Sequence, residues 1–182
     1  MRVSTIALLL ATTAVPSFCQ KFGAMENLAP YIPTPQLIVE RMLTAGHVTP
    51  DDTVYDLGGG DGRVVITAVQ KFGARAVGVE ILPDLCRRAT EKIKTLGLED
   101  RARMVEDSVF RVDLSPATVV TMFFLTDSNE RLKPNLEKYL RPGARVVSNQ
   151  FPVRGWKPTE VIHVKSGNMD HSIFVYKIGH TK

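Results

Sequence analysis

Between Tyr55 and Arg63 the chain reads YDLGGGDGR, with acids at Asp56 and Asp61 and glycines at 58, 59, 60 and 62. An apolar run precedes this stretch and the helix-like VVITAV follows it. It therefore reads as a strand-to-helix loop of bare backbone, the kind of loop that meets the ligand in open α/β sheets. Spacing excludes two phosphate-binding solutions. A nicotinamide loop needs Gly-x-Gly-x-x-Gly, but counting from Gly58 and Gly60 the third position is Arg63; a P-loop needs a Gly-Lys-Ser/Thr that does not follow. What remains is Asp56-x-Gly58-x-Gly60-x-Gly62. An acid at the strand end repels a pyrophosphate and suits a ligand that carries an ammonium and a sulfonium. Two more acids follow in the same way, Glu80 closing AVGVE and Asp107 just past ARMVE, so three acidic positions fall at the ends of three consecutive strand-like runs.

The elements that must hold these residues alternate along the chain. Thr34 is placed to cap a helix with Pro35 at its first position, Leu37, Ile38, Met42 and Leu43 on one face, and Gly46 beyond its end. Strands are expected at 53–57, 76–80, 102–106, 117–125 and 144–150, and helices at 63–72, 83–96 and 128–140, the last with a kink or restart at Pro134. EVIHVK and SIFVYKI read as a closing antiparallel pair joined by SGNMDH. Alternating apolar strands and helices predict an α/β, doubly wound, Rossmann-like sheet of seven strands ending in a C-terminal antiparallel hairpin.

At 182 residues, 44% apolar and 23% charged, the chain suits one globular domain. The net charge of +4 is scattered rather than gathered into a stripe, so no nucleic acid partner is indicated. Arg2 followed by the uncharged run Val3 to Gln20, with its apolar centre at Ile6 to Val15, reads as a signal-peptide-like segment over 1–19. An irregular segment, 20–33, and the domain proper, 34–182, follow. The segment implies export or membrane association, or alternatively an anchor that leaves the domain facing the cytoplasm. His47, His163, His171 and His180 are dispersed, and no metal site is expected.

The glycine ladder with its acids resembles motif I of the class I S-adenosylmethionine-dependent methyltransferases. That resemblance implies S-adenosyl-L-methionine as cofactor, held by Asp56, Gly58, Gly60 and Gly62, with Glu80 matching the ribose-binding acid and Asp107 the position beside the adenine amine. The flanks sharpen it. YIPTPQLIVERML and the long stretch from ATVVTMFFLTDSN to FPVRGWKP are similar to the bacterial relatives of the lysine methyltransferases that modify ATP synthase subunit c and the adenine nucleotide translocase, over about Tyr31 to Pro158. By that resemblance Tyr31, Pro33 and Thr34 fold over the methionine end of the cofactor, and Trp156 with Phe151 lines the substrate entrance. The expected partner is a protein substrate, membrane-associated by analogy, approached by a monomer.

Each assignment has a plainer alternative. Trp156 also fits a core or lid aromatic, and YIPTP a turn leading into a helix cap. Asp127, after the fourth strand, is a candidate to orient the acceptor amine and equally a helix cap for SNERL. Methyl transfer to lysine is the expected reaction. A small-molecule methyltransferase and a non-catalytic binder of the cofactor are the alternatives, the latter because an exported enzyme would find no S-adenosylmethionine outside the cytosol.

Overall fold

A computed structural model describes Leu28 and residues 30–181; the signal-like segment 1–19 and most of 20–33 lie outside the described residues. In chain order the elements are α1 (Gln36–Ala45), β1 (Thr53–Leu57), α2 (Arg63–Phe72), β2 (Arg75–Glu80), α3 (Pro83–Thr95), β3 (Ala102–Glu106), β4 (Val119–Met122), α4 (Thr126–Tyr139), β5 (Arg145–Asn149), β6 (Glu160–Ser166) and β7 (Met169–Lys177). They form one seven-stranded sheet in the order β3-β2-β1-β4-β5-β7-β6. The first five strands are parallel, and β7 runs antiparallel between β5 and β6. The order reverses between β1 and β4, which puts the switch point of this α/β sheet at the carboxyl end of β1.

Strands buried on both faces read as continuous apolar runs, and β1 and β4 do so because helices cover both sides. On one face Val54, Ala76, Val119 and Val147 pack with Ile38 and Leu43 of α1 and Val65 of α2; on the other, Tyr55, Val77, Val120 and Val146 pack with Leu132 and Leu136 of α4. Each such buried side chain is worth about 1.5–3 kcal/mol over its exposed state, so both helical layers are needed to close the sheet. Asp56 interrupts this pattern on the Val54 face at the last turn of the strand before the glycines.

Several boundaries differ from the sequence reading. The N-cap of α1 is Pro35, with no side-chain cap bond, so Thr34 stands one residue outside the helix. Strand β4 is shorter than 117–125: Phe123 and Phe124 leave the sheet, and α4 already begins at Thr126. Its N-cap is Leu125, again without a side-chain bond, so Asp127 lies in the first turn and caps nothing. Helix α4 runs through Pro134 unbroken, held by the burial of Leu132 and Leu136 on either side. The closing hairpin is tighter than expected. Ser166 pairs with Met169, leaving Gly167 and Asn168 as a two-residue turn with Gly167 at φ 60°. The packed unit also starts before residue 34, since Leu28 is buried in the α4-side core and its carbonyl accepts a hydrogen bond from Ser128 Oγ at 2.8 Å.

Candidate active site

The loop from Gly58 to Gly62 is fastened to the neighbouring strand by its own main-chain N–H groups. The N–H groups of Gly58 and Gly59 both donate to the Val79 carbonyl at 2.9 Å, and Gly62 N–H closes a turn onto the Gly59 carbonyl at 2.9 Å. Gly62, at φ 76°, opens α2 in the left-handed region; a Cβ there would also meet the Ala89 methyl of α3 at 3.2 Å. Gly60 carries the same double requirement, with φ 52° and the Tyr31 ring 2.8 Å from where its Cβ would stand.

Glu80 ends β2 buried beneath this loop. Its Oε2 accepts from Gly60 N–H at 2.8 Å and its Oε1 from Leu82 N–H at 2.9 Å. A carboxylate offers about four acceptor positions, so each oxygen keeps capacity for one more donor, the requirement for a pair of ribose hydroxyls. Asp56 is also buried, and its Oδ1 accepts from Thr121 Oγ1 at 2.7 Å. Burial pushes its carboxyl up to about 8, against the Thr121 hydrogen bond, and the negative charges of Glu80 and Asp61 add to the rise. A cationic ligand would reverse that penalty. Asp61 behaves oppositely: the Arg63 guanidinium holds its carboxyl below the usual carboxylate range.

These groups line one cavity at the switch point. Its floor is Asp56 and the loop from Gly58 to Asp61, with Glu80 at one side; its other walls come from Leu28, the strap 30–34, Met42, Val109 and the Phe123–Phe124 pair. The structure thus brings Tyr31, Thr34, Asp56, Gly58, Gly60 and Glu80 together around a single space. Five other candidate residues lie off it, Phe151 among them, stacked on Phe123. Gly62 stands behind the loop as the N-cap of α2. Asp107 turns its Oδ1 to Arg111 Nε at 3.0 Å and to Ser108 N–H at 2.7 Å; Val109, two residues on, supplies the wall instead. The Asp127 side chain is 86% exposed and pairs with Arg154 at 3.2 Å. Trp156 is buried in the core, with its Nε1–H donating to Glu137 Oε1 at 2.9 Å and its ring edge-on to Tyr176 at 5.4 Å. Its indole fits the core-aromatic alternative, because both its ring and its single donor are satisfied away from the cavity.

Thr121, Arg63 and Leu28 also shape the site, with little or no trace in the sequence. Thr121 left a signal, a hydroxyl inside the four-residue buried strand VVTM, whose only polar group needs a partner. In the sequence Arg63 stands out only as the residue that breaks a dinucleotide fingerprint. Leu28 left no signal, since nothing local distinguishes it from the irregular stretch around it.

A mostly parallel seven-stranded sheet with a bare-backbone loop at its switch point, a buried acid below the loop and a second acid with two free acceptor positions beside it defines a class I S-adenosylmethionine-dependent methyltransferase. The sequence profile of the ANTKMT methyltransferase domain matches residues 56–160, more than half of the chain, and the chain belongs to that family. It is 54% identical to the protein-lysine N-methyltransferase of Saccharolobus islandicus (strain REY15A), over 84% of this chain and 96% of that one. It is 32% identical to the adenine nucleotide translocase lysine N-methyltransferase of Mus musculus over 73% of this chain, which spans 58% of the mouse protein. Among solved structures, an RNA methyltransferase from Salinibacter ruber in complex with S-adenosyl-L-homocysteine superposes with a TM-score of 0.76 at 39% identity, covering 81% of this chain and 94% of that one.

Proposed function

We propose that this enzyme methylates the ε-amine of a lysine in a protein substrate held at a membrane. The observation that carries the reading is the chemistry of the cavity's outer walls. Leu28, Ile32, Met42, Phe123 and Phe124 are apolar, and among the described residues Arg63 is the one basic residue on the lining, already engaged by Asp61. A nucleic acid acceptor needs cationic groups to meet its phosphates, and among the described residues the lining offers none free. A lysine side chain is long, thin and apolar except at its tip, so it fits an apolar entrance while its parent protein stays outside. The names of the archaeal and mouse relatives support the same acceptor.

Bound S-adenosylmethionine supplies an electrophilic methyl group on a sulfonium. Asp56 would face the cationic end, Glu80 would accept from the ribose, and the Gly58–Gly60 backbone would let the cofactor lie close, with Tyr31 and Thr34 covering it. The apolar walls favour the neutral form of the incoming amine by desolvation, so the acceptor loses its proton on entry without a dedicated base. Positioning for in-line attack then carries most of the rate.

The N-terminal apolar segment Ile6–Val15 keeps the enzyme at the membrane where its substrate resides, and the enzyme acts as a monomer. Radiolabelled cofactor incubated with a membrane fraction, followed by mass spectrometry, should locate methyl groups on protein lysines; label confined to RNA or small molecules would defeat the proposal. In the native host the chain should be recovered with Met1 intact in the membrane fraction, whereas a soluble chain beginning near Gln20 would mean export. Sedimentation should give a single-chain mass.

A further inference from the structure

The strap from Pro30 to Pro35 forms one wall of the cavity, yet its sequence gives it little to hold on with. Prolines at 30, 33 and 35 have no N–H to donate, so the strap cannot zip onto the glycine loop as a strand would. The tie is a side chain. Arg63 Nη1 donates to the Thr34 carbonyl at 2.7 Å, while Nε and Nη2 of the same guanidinium fork onto the Asp61 carboxylate at 2.9 and 2.7 Å. The fork fixes the plane of the guanidinium, and the plane aims the remaining N–H at the strap. On the cavity side of this tie, the Tyr31 ring rests on Gly60, whose N–H is held by Glu80. Strap, loop and ribose-side acid are thus connected through one arginine.

Energetics favour a latch over a structural rivet. The Arg63 and Asp61 side chains are 28% and 33% exposed, so water screens their pairing and its contribution to global stability is small. Its geometric consequence is large: among the described residues, Arg63, which also meets the Tyr31 side chain, and the contact of the Tyr31 ring with Gly60 are what tie the strap between Pro30 and Thr34 to the loop. We propose that Arg63 is a positioning residue: it latches the strap over the glycine loop, seats Tyr31 on the cofactor, and so sets how long the cofactor and its demethylated product are retained. The inference rests on the site being that of an S-adenosylmethionine-dependent methyltransferase.

The test uses S-adenosylhomocysteine as probe, with calorimetry for affinity and stopped-flow for dissociation. Arg63→Ala should weaken binding about 10-fold, through faster dissociation. It should raise KM for S-adenosylmethionine while leaving kcat at saturation largely intact, and leave the melting temperature of the ligand-free protein nearly unchanged. Arg63→Lys should behave like Arg63→Ala, because one ammonium cannot hold Asp61 and the Thr34 carbonyl together in the planar fork. If the latch acts through the aromatic, adding Tyr31→Ala to Arg63→Ala should cost no further affinity. Hydrogen exchange should quicken at the amides of Tyr31, Ile32 and Thr34 and stay unchanged in β1 and β2. Should Arg63→Ala fail to fold, Asp61→Asn, which loosens the fork and keeps the arginine, must show the same exchange pattern. Unchanged affinity and exchange in these variants, or additive losses in the double variant, overturn the latch. A wild-type protein that does not bind S-adenosylhomocysteine overturns the cofactor reading itself, and the latch with it.

Discussion

Replacing Asp56 by asparagine should make the protein more stable, and the gain should grow with pH. The carboxyl is buried at the end of β1, and its ordinary value of 3.8 is pushed up to about 8. A displacement of that size corresponds to a penalty of about 5–6 kcal/mol on the ionised form. Below about pH 4 the group is protonated in folded and unfolded chains alike, and the two proteins should differ little. Between about pH 4 and 8 the unfolded chain has released a proton that the folded chain still holds, so every step upward favours unfolding of the wild type. Above about pH 8 both states are ionised and the full penalty remains. Asparagine resembles the protonated acid, keeps an oxygen to accept from Thr121, and carries no such penalty. Chemical denaturation at intervals from pH 5 to 9 should therefore show a stability difference that widens with pH and levels off above 8. The ligand reverses the sign. An ammonium and a sulfonium brought into the cavity stabilise the carboxylate, so binding of S-adenosylmethionine at pH 7 should release close to one proton, read by calorimetry in buffers of different ionisation heats. A stability difference that is flat across this range, or a binding heat independent of buffer, would refute the argument.

Glu80→Ala should weaken S-adenosylhomocysteine binding by about 1.5–3 kcal/mol, the worth of a charged acceptor, as measured by calorimetry; unchanged affinity would remove Glu80 from the site. Trp156→Ala should destabilise the fold by about 3–5 kcal/mol, since it empties a packed core position and leaves Glu137 without its indole donor, while the folded fraction keeps its cofactor affinity. Full stability with lost methylation would return Trp156 to the substrate entrance. Asp127→Ala should shift stability by no more than about 0.5 kcal/mol and leave turnover near wild type, because an exposed pair with Arg154 contributes little; a large loss of turnover with intact cofactor affinity would make Asp127 an acceptor-orienting group after all.

The sheet was legible because its strands are short apolar runs punctuated by Pro and Gly, and five of the seven fall where periodicity and punctuation put them. The departures have local causes. Phe123 and Phe124 look like strand, but the chain turns them out to wall the cavity, a tertiary demand that propensity does not contain. SGNMDH looked like a loop because Asp170 and His171 are polar, although the Gly-Asn pair inside it is the stronger turn signal. In the site, Asp56, the glycines and Glu80 could be read because they sit on consecutive strand ends, where spacing and topology agree. Asp107 and Asp127 sit on strand or helix ends too, but their orientation is decided by Arg111 and Arg154, partners that sequence distance does not advertise. Arg63 was hidden for the same reason, since its role depends on a carbonyl 29 residues away.

With Trp156 in the core and Asp127 in solvent, the proposed acceptor side of the cavity falls to Phe123 and Phe124, and polar groups act on the Phe123 ring from behind. Phe151, off the cavity lining, stacks on Phe123 with centroids 6.1 Å apart and planes 19° from parallel. The Phe151 backbone is held in turn by two buried side chains, its carbonyl accepting from Ser148 Oγ at 2.6 Å and from Asn129 Nδ2 at 3.1 Å. Gln150, at φ 68°, makes the turn that lets this happen, and its N–H bonds the Ser172 carbonyl of β7 at 2.7 Å. The antiparallel hairpin at the sheet edge is thereby connected to the aromatic wall of the site. A wall of that kind supplies no proton acceptor and no charge, and methyl transfer from a sulfonium needs neither: positive charge passes from sulfur to nitrogen, and what the enzyme must provide is a dry line of approach. The buried serine and asparagine hold the Phe151 backbone, and with it the ring that backs Phe123, while pointing at the main chain and away from the cavity.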